Sequence, residues 1–139
     1  MAQLEKLDQN IASRQANFKR QCKFFDNYPN YFSNPQETYG CNTAWLAFPI
    51  LIKEGTPFTR KEFQIFLEKR NIQTRVVFTG NILRQPMCQN ISKRVLEEGY
   101  PNADRVMARG VLLPLHHGMT ESMFSRFHAT VHEFIEQYD

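Results

Sequence analysis

Two arginines nine positions apart, Arg75 and Arg84, stand out as residues whose type and spacing suit chemistry. A guanidinium is a planar fork that grips phosphate or carboxylate through paired hydrogen bonds. Between the two lies Thr79-Gly80-Asn81, where a residue without a Cβ allows backbone to approach a ligand. The chain can fold back there, bringing both cations to one anion with Asn81 as a hydrogen-bonding partner. Solvated surface charge is the plainer reading of the same residues. His116-His117-Gly118 adds two imidazoles able to project into a cleft as donors or acceptors. Neighbouring residues point differently, so one histidine is expected in a cleft or packed and the other in solvent. His128 and His132, four apart, share a helix face, which suits either a metal with a third ligand or solvent.

Other chemistries find no support. GxGxxG and GxxxxGK[ST] phosphate loops, HExxH, CxxC and GxSxG do not occur. No metal site is therefore expected. Cys88 has no neighbouring base to activate it, and the three cysteines, Cys22, Cys41 and Cys88, read as free thiols of a reducing compartment.

The elements that position these residues follow from composition and periodicity. The 139 residues fit one domain, 42% hydrophobic and 22% charged, with a net charge of +3 too mild to make nucleic acid the default partner. Charge is uneven: residues 53–110 hold eleven basic and six acidic side chains, whereas 111–139 hold one and four. No run is apolar enough to cross a bilayer and no signal peptide is evident, so a cytoplasmic protein is expected. Apolar spacing predicts a long helix over residues 2–25, its stripe made by Leu4, Leu7, Ile11, Phe18, Cys22 and Phe25, entered without a capping residue. An aromatic-rich loop follows over 28–42. Residues 43–52 read as a strand in which Pro49 implies an edge position or a bulge. Thr59 and Glu62 form a capping box ahead of a short helix with Phe63, Phe66 and Leu67 inward. Strands are predicted at 72–78 and 111–115, with a helix from Pro101 to Gly110 between them. Thr120 caps a last helix with Met123, Phe127, Val131, Phe134 and Ile135 inward. The resulting class is α+β, a two-layer sandwich of a small, mainly antiparallel sheet with helices on one face and a long N-terminal helix.

The wording of residues 74–86, TRVVFTGNILRQP, resembles a segment of sugar 3-dehydrases in the DegT/DnrJ/EryC1/StrS family of fold-type I enzymes. Residues 44–50, 102–107 and 115–120 resemble the strands and helices that flank it, and residues 3–8 resemble the helix linking the family's two domains. The likeness implies a C-terminal small domain, residues 1–139, whose cofactor-binding large domain is absent. It further implies pyridoxamine or pyridoxal 5′-phosphate in the parent enzyme and none bound to this portion, where no cofactor lysine, replacing histidine or iron–sulfur ligand can be assigned. The implied reaction removes the 3-hydroxyl of a nucleotide-linked 4-keto-6-deoxyhexose. Arg75, Asn81, Arg84, His116 and His117 would then meet substrate, and the parent would be a homodimer. A sugar-nucleotide aminotransferase of the same family and a free-standing binding module are the alternatives. The single ring of Arg75-Val76-Val77-Phe78 argues against an RNA-recognition strand.

Overall fold

The computed structural model describes residues 4–138. Helix α1 spans Leu7–Phe25, and the expected start at Ala2 lies outside the described residues. Only its C-terminal half is buried, through Phe18, Gln21 and Phe25, while Leu4 and Leu7 are exposed. The predicted stripe is thus cut short, because the first turns of α1 extend past the elements it packs on.

Four strands follow: β1 (Phe32–Ser33), β2 (Phe48–Ile52), β3 (Arg75–Val76) and β4 (Gly110–Leu113). They form one antiparallel sheet in the order β1-β2-β4-β3. Strand β2 is central in that order, not at the edge that Pro49 suggests. The two residues of β1 pair only with Leu51 and Ile52, so Pro49 has a strand neighbour on the β4 side alone, where it pairs with Leu112. A missing N–H is tolerated in such a locally open position. The strand also begins later than predicted. Residues 43–47 are loop, tied to α1 by the Trp45 ring stacked 4.3 Å from Phe18 and by Arg14 Nη1 donating to the Trp45 carbonyl at 3.1 Å. β3 is shorter than the predicted strand at 72–78, since the chain turns away after Val76.

Helix α2 (Arg60–Glu68) starts at the expected capping box: Glu62 N donates to Thr59 Oγ1 at 3.2 Å, and Thr59 N donates to Glu62 Oε2 at 2.7 Å. Asn71, with φ of 58°, takes the left-handed turn that ends the helix, and Ile72 N reaches back to the Leu67 carbonyl at 3.0 Å. Helix α3 (Pro101–Arg109) places Pro101 in its first turn, where a missing N–H costs nothing. Thr120 Oγ1 accepts from Met123 N at 3.3 Å to start α4 (Glu121–Ile135). Met123, predicted inward, is exposed. Phe124, one residue on, is buried in its place.

One face of the sheet carries Phe48, Ile50, Ile52, Val111 and Leu113, and α1, α2 and α4 cover it. Helix α3 buries no side chain and borders the other end of β2, where Arg105 and Arg109 line a shallow depression with Leu51. Rings fill the core. Phe25 stacks on Phe48 at 5.5 Å, and Phe58, Phe63 and Phe134 meet one another at 4.8–6.3 Å. Burying each such side chain stabilises the fold by about 1.5–3 kcal/mol. Phe25→Ala is therefore expected to cost about 3–5 kcal/mol through the cavity left between α1 and β2. Thr59→Ala, which removes one cap, is expected to cost about 1 kcal/mol. Urea unfolding of both variants checks the ratio.

Candidate ligand-binding site

Around β3 the side chains alternate, with Ile72 and Thr74 buried and Gln73 and Arg75 outward. Thr74 is fixed from below: its hydroxyl donates to Glu68 Oε1 at 2.7 Å and accepts from Gln64 Nε2 at 3.0 Å. That anchoring turns Arg75 to the open side of the sheet. There Arg75, Gln73, Leu46, Leu112, Pro114 and His116 border a depression of about 330 Å³. A second depression of about 250 Å³ shares Gln73, Pro114 and His116 and continues to Met119, Met123 and Arg126. The two make one groove with His116 at its middle. Among the described residues the Arg75 guanidinium has no hydrogen-bond or ion-pair partner, so its whole fork is available to an anion.

Both histidines are exposed, which corrects the expectation that one would be packed. Their rings stand nearly perpendicular, at 86° with centroids 6.4 Å apart. His116 is held in place: its carbonyl accepts from Asn17 Nδ2 at 2.7 Å, and its Nδ1 accepts from Gly118 N at 3.2 Å. With Nδ1 accepting, the neutral ring carries its proton on Nε2, a donor for a ligand oxygen. His117 does not border either depression.

Arg84 and Asn81 belong to a different arrangement. Asp104 of α3 receives Arg84 Nε at 3.0 Å and Nη2 at 2.8 Å, and also Asn81 Nδ2 at 2.8 Å. These donors hold the Asp104 carboxyl down at about 2, the Arg84 hydrogen bonds first and the Asn81 hydrogen bond second. Asn81 is buried, and its Oδ1 accepts from Leu83 N at 3.0 Å to start a short 3₁₀ turn. Both ends of its amide are therefore engaged inside the protein. Gly80, with φ of 65°, lies so close to α3 that a Cβ would sit 2.3 Å from Met107 Cβ. The glycine serves close packing, with no ligand needed to explain it. Arg75 and Arg84 border separate depressions, and the structure does not bring them to one anion.

His132 is exposed and His128 half-buried, and both rings have partners within the protein. His132 Nδ1 meets the Tyr28 hydroxyl at 2.9 Å, and its Nε2 lies 3.2 Å from Glu136. His128 stacks on Phe24 at 3.9 Å, and its Nε2 meets Gln21 Oε1 at 2.9 Å. Burial, with Arg20 a lesser contributor, lowers its pKa from 6.5 to about 4. Gln21 is fully buried and was not foreseen, since a mid-helix glutamine gives no signal of burial. Among the described residues no three metal-ligating side chains cluster. Burial pushes the Cys22 thiol up to about 11, leaving it unreactive.

Pyridoxal phosphate needs an amine-bearing or basic side chain beside a ring-sized pocket that also cradles the phosphate. No lysine borders the Arg75–His116 groove, and Lys93, beside the Arg84 depression, donates to the Cys88 carbonyl. Among the described residues these depressions therefore offer pyridoxal phosphate no free amine for a Schiff base.

The family pattern described as DegT/DnrJ/EryC1/StrS aminotransferase matches residues 1–132. The chain is 32% identical over 120 residues to the lipopolysaccharide biosynthesis protein RfbH of Salmonella typhimurium, covering 86% of this chain and 27% of that protein. It is 30% identical over 135 residues to the dTDP-4-dehydro-2,6-dideoxy-D-glucose 3-dehydratase of Saccharopolyspora spinosa, covering 97% and 29%. The fold superposes on the GDP-4-keto-6-deoxy-D-mannose-3-dehydratase of E. coli, solved with bound hydrated PLP, with a TM-score of 0.78 and 24% identity. That superposition covers 94% of this chain and 32% of the other. The chain thus spans under a third of the length of each.

Two outcomes are expected. Incubation of the chain with pyridoxal phosphate and borohydride should give no stoichiometric adduct at a single lysine, as read by mass spectrometry. The depressed pKa of His128 means that the unfolded state binds its proton first. Its contribution to stability is complete above about pH 6.5 and lost as pH falls towards 4. About 1 kcal/mol should disappear over that window, a figure discounted for the solvent reaching the ring. His128→Gln should flatten this part of the pH profile in chemical denaturation.

Proposed function

The chain belongs to the DegT/DnrJ/EryC1/StrS aminotransferase family, and on that premise we propose that it is the C-terminal small domain of a pyridoxamine-phosphate-dependent sugar 3-dehydratase. The substrate is a nucleotide-linked 4-keto-deoxyhexose, the class named for the Saccharopolyspora and E. coli relatives. The electronic work of removing the hydroxyl belongs to the cofactor and to a large domain outside these 139 residues. The parent is a cytoplasmic homodimer. No helix among the described residues is long and apolar enough to cross a membrane.

The observation that carries the reading is the free Arg75 fork beside the oriented His116 ring at one groove. Substrate phosphate fits the guanidinium, and a sugar or phosphate oxygen fits His116 Nε2–H. These contacts lie away from the reacting carbon. They position the substrate and bind it equally in ground and transition states, so their loss raises KM more than it lowers kcat. A charge-assisted contact of this kind contributes about 1.5–3 kcal/mol.

A chimera tests the reading: residues 1–139 replace the corresponding part of the GDP-4-keto-6-deoxy-D-mannose 3-dehydratase of Yersinia pseudotuberculosis, whose sequence is 34% identical over 82 residues. Turnover to the 3-deoxy product shows that residues 1–139 complete the substrate cleft of a 3-dehydratase, and a folded, cofactor-loaded chimera without turnover counts against that role. In the active chimera Arg75→Ala should raise KM about ten- to a hundredfold. Arg75→Lys should also be impaired, because a point charge cannot reproduce the fork. His116→Ala should raise KM and His117→Ala should not. Unchanged kcat/KM in the Arg75 variants would remove the groove from the substrate path.

A further inference from the structure

Phe78 is held in a conformation that a bulky side chain avoids. Its φ is 49°, in the left-handed region where the Cβ crowds the backbone carbonyl. It occupies the second position of a turn closed by Gly80 N donating to the Val77 carbonyl at 3.1 Å, and glycine dominates such positive-φ positions. The ring gains nothing in return from packing, because the residue is 85% exposed. A phenylalanine that is both strained and solvated contributes no net stability to this fold.

The surroundings hold it there. Gln85 Nε2 donates to the Thr79 carbonyl at 2.9 Å, and Gly80 is pressed against Met107. Asn81 and Arg84, gathered on Asp104, fix the chain immediately beyond. The residues that gave the segment its recognisable wording therefore act as a brace, and the side chain the brace presents is Phe78. Strain over-determined in this way is a mark of a functional position. The ring borders a depression of about 340 Å³ with Val76, Val77, Thr79, Gln85, Arg60 and Met107. That lining offers a flat apolar surface, amide and hydroxyl groups for a heterocycle's polar edge, and a cation for a phosphate.

We propose that Phe78 is the stacking residue for a planar heteroaromatic ring, the base of a nucleoside diphosphate. This rests on the reading of the domain as part of a nucleotide-sugar enzyme, and it assigns the base to a residue outside the Arg75–His116 groove.

The test uses this chain, with dTDP, GDP, CDP and UDP as probes and inorganic pyrophosphate as the baseless control, in ligand-observed NMR titrations. Wild type is expected to bind at least one nucleoside diphosphate with millimolar affinity. Phe78→Gly should keep or raise the melting temperature, because glycine relieves the φ strain, while weakening that nucleotide about tenfold and leaving pyrophosphate unchanged. Phe78→Trp should restore nucleotide binding, with quenching of its fluorescence. Nucleotide affinity unchanged in Phe78→Gly overturns the stacking role and leaves the nucleotide-sugar reading standing. A large fall in melting temperature in Phe78→Gly also overturns it, by showing that the ring packs. No nucleotide binding by wild type up to tens of millimolar overturns both.

Discussion

A single connected web of aromatic rings is the constraint on which the rest of the structure depends. Phe25 and Phe48 join α1 to the centre of the sheet, Phe32 and Phe63 join β1 to α2, and Phe134 ties α4 to both Phe58 and Phe63. A sheet with two strands of only two residues has few ladder hydrogen bonds to hold it. Its position is set by the side chains beneath it. Because the web lies wholly on the face covered by α1, α2 and α4, the outward side chains of β3 and the tip of the following turn take no part in it. That division of labour lets Arg75, His116 and Phe78 stand in solvent.

A second, smaller device sets the loop beyond β3. Asp104 gathers three hydrogen bonds from two residues, and its carboxyl, held near 2, remains ionised at any physiological pH. Exposed ion pairs contribute little stability as a rule, and Arg84 is mostly exposed. What the pair supplies is geometry: it docks the loop on α3, with Asn81 buried between them. Two arginines that look equivalent in composition thus have opposite roles, one committed to an internal carboxylate and one open to a ligand.

Much of the frame was legible in the sequence for local reasons. Thr59 with Glu62, Thr120 and Pro101 are signals that act within one turn of their own position, and each starts a helix where expected. Errors arose wherever the deciding partner was distant. The apolar spacing of Leu4 and Leu7 is helical, but burial needs something to lie against. Met123 and Phe124 are both apolar, and only the tilt of α4 over the sheet decides which faces in. For the site, residue type singled out Arg75 and the His116–His117 pair, but not which histidine borders the groove. The proximity of Asp104 to Arg84, twenty residues away, has no signature in a single sequence. The strain at Phe78 and the burial of Gln21 likewise depend on tertiary neighbours.

The two guanidinium groups have separate roles, and the arginine side-chain Nε–Hε resonances report on this directly. Pyrophosphate titrated into the isotopically labelled chain is expected to shift the Arg75 resonance progressively. The Arg84 resonance, its Nε–H already given to Asp104 Oδ1 at 3.0 Å, should stay in place. Movement of Arg84 with Arg75 silent would overturn this division of roles and return the anion site to the loop.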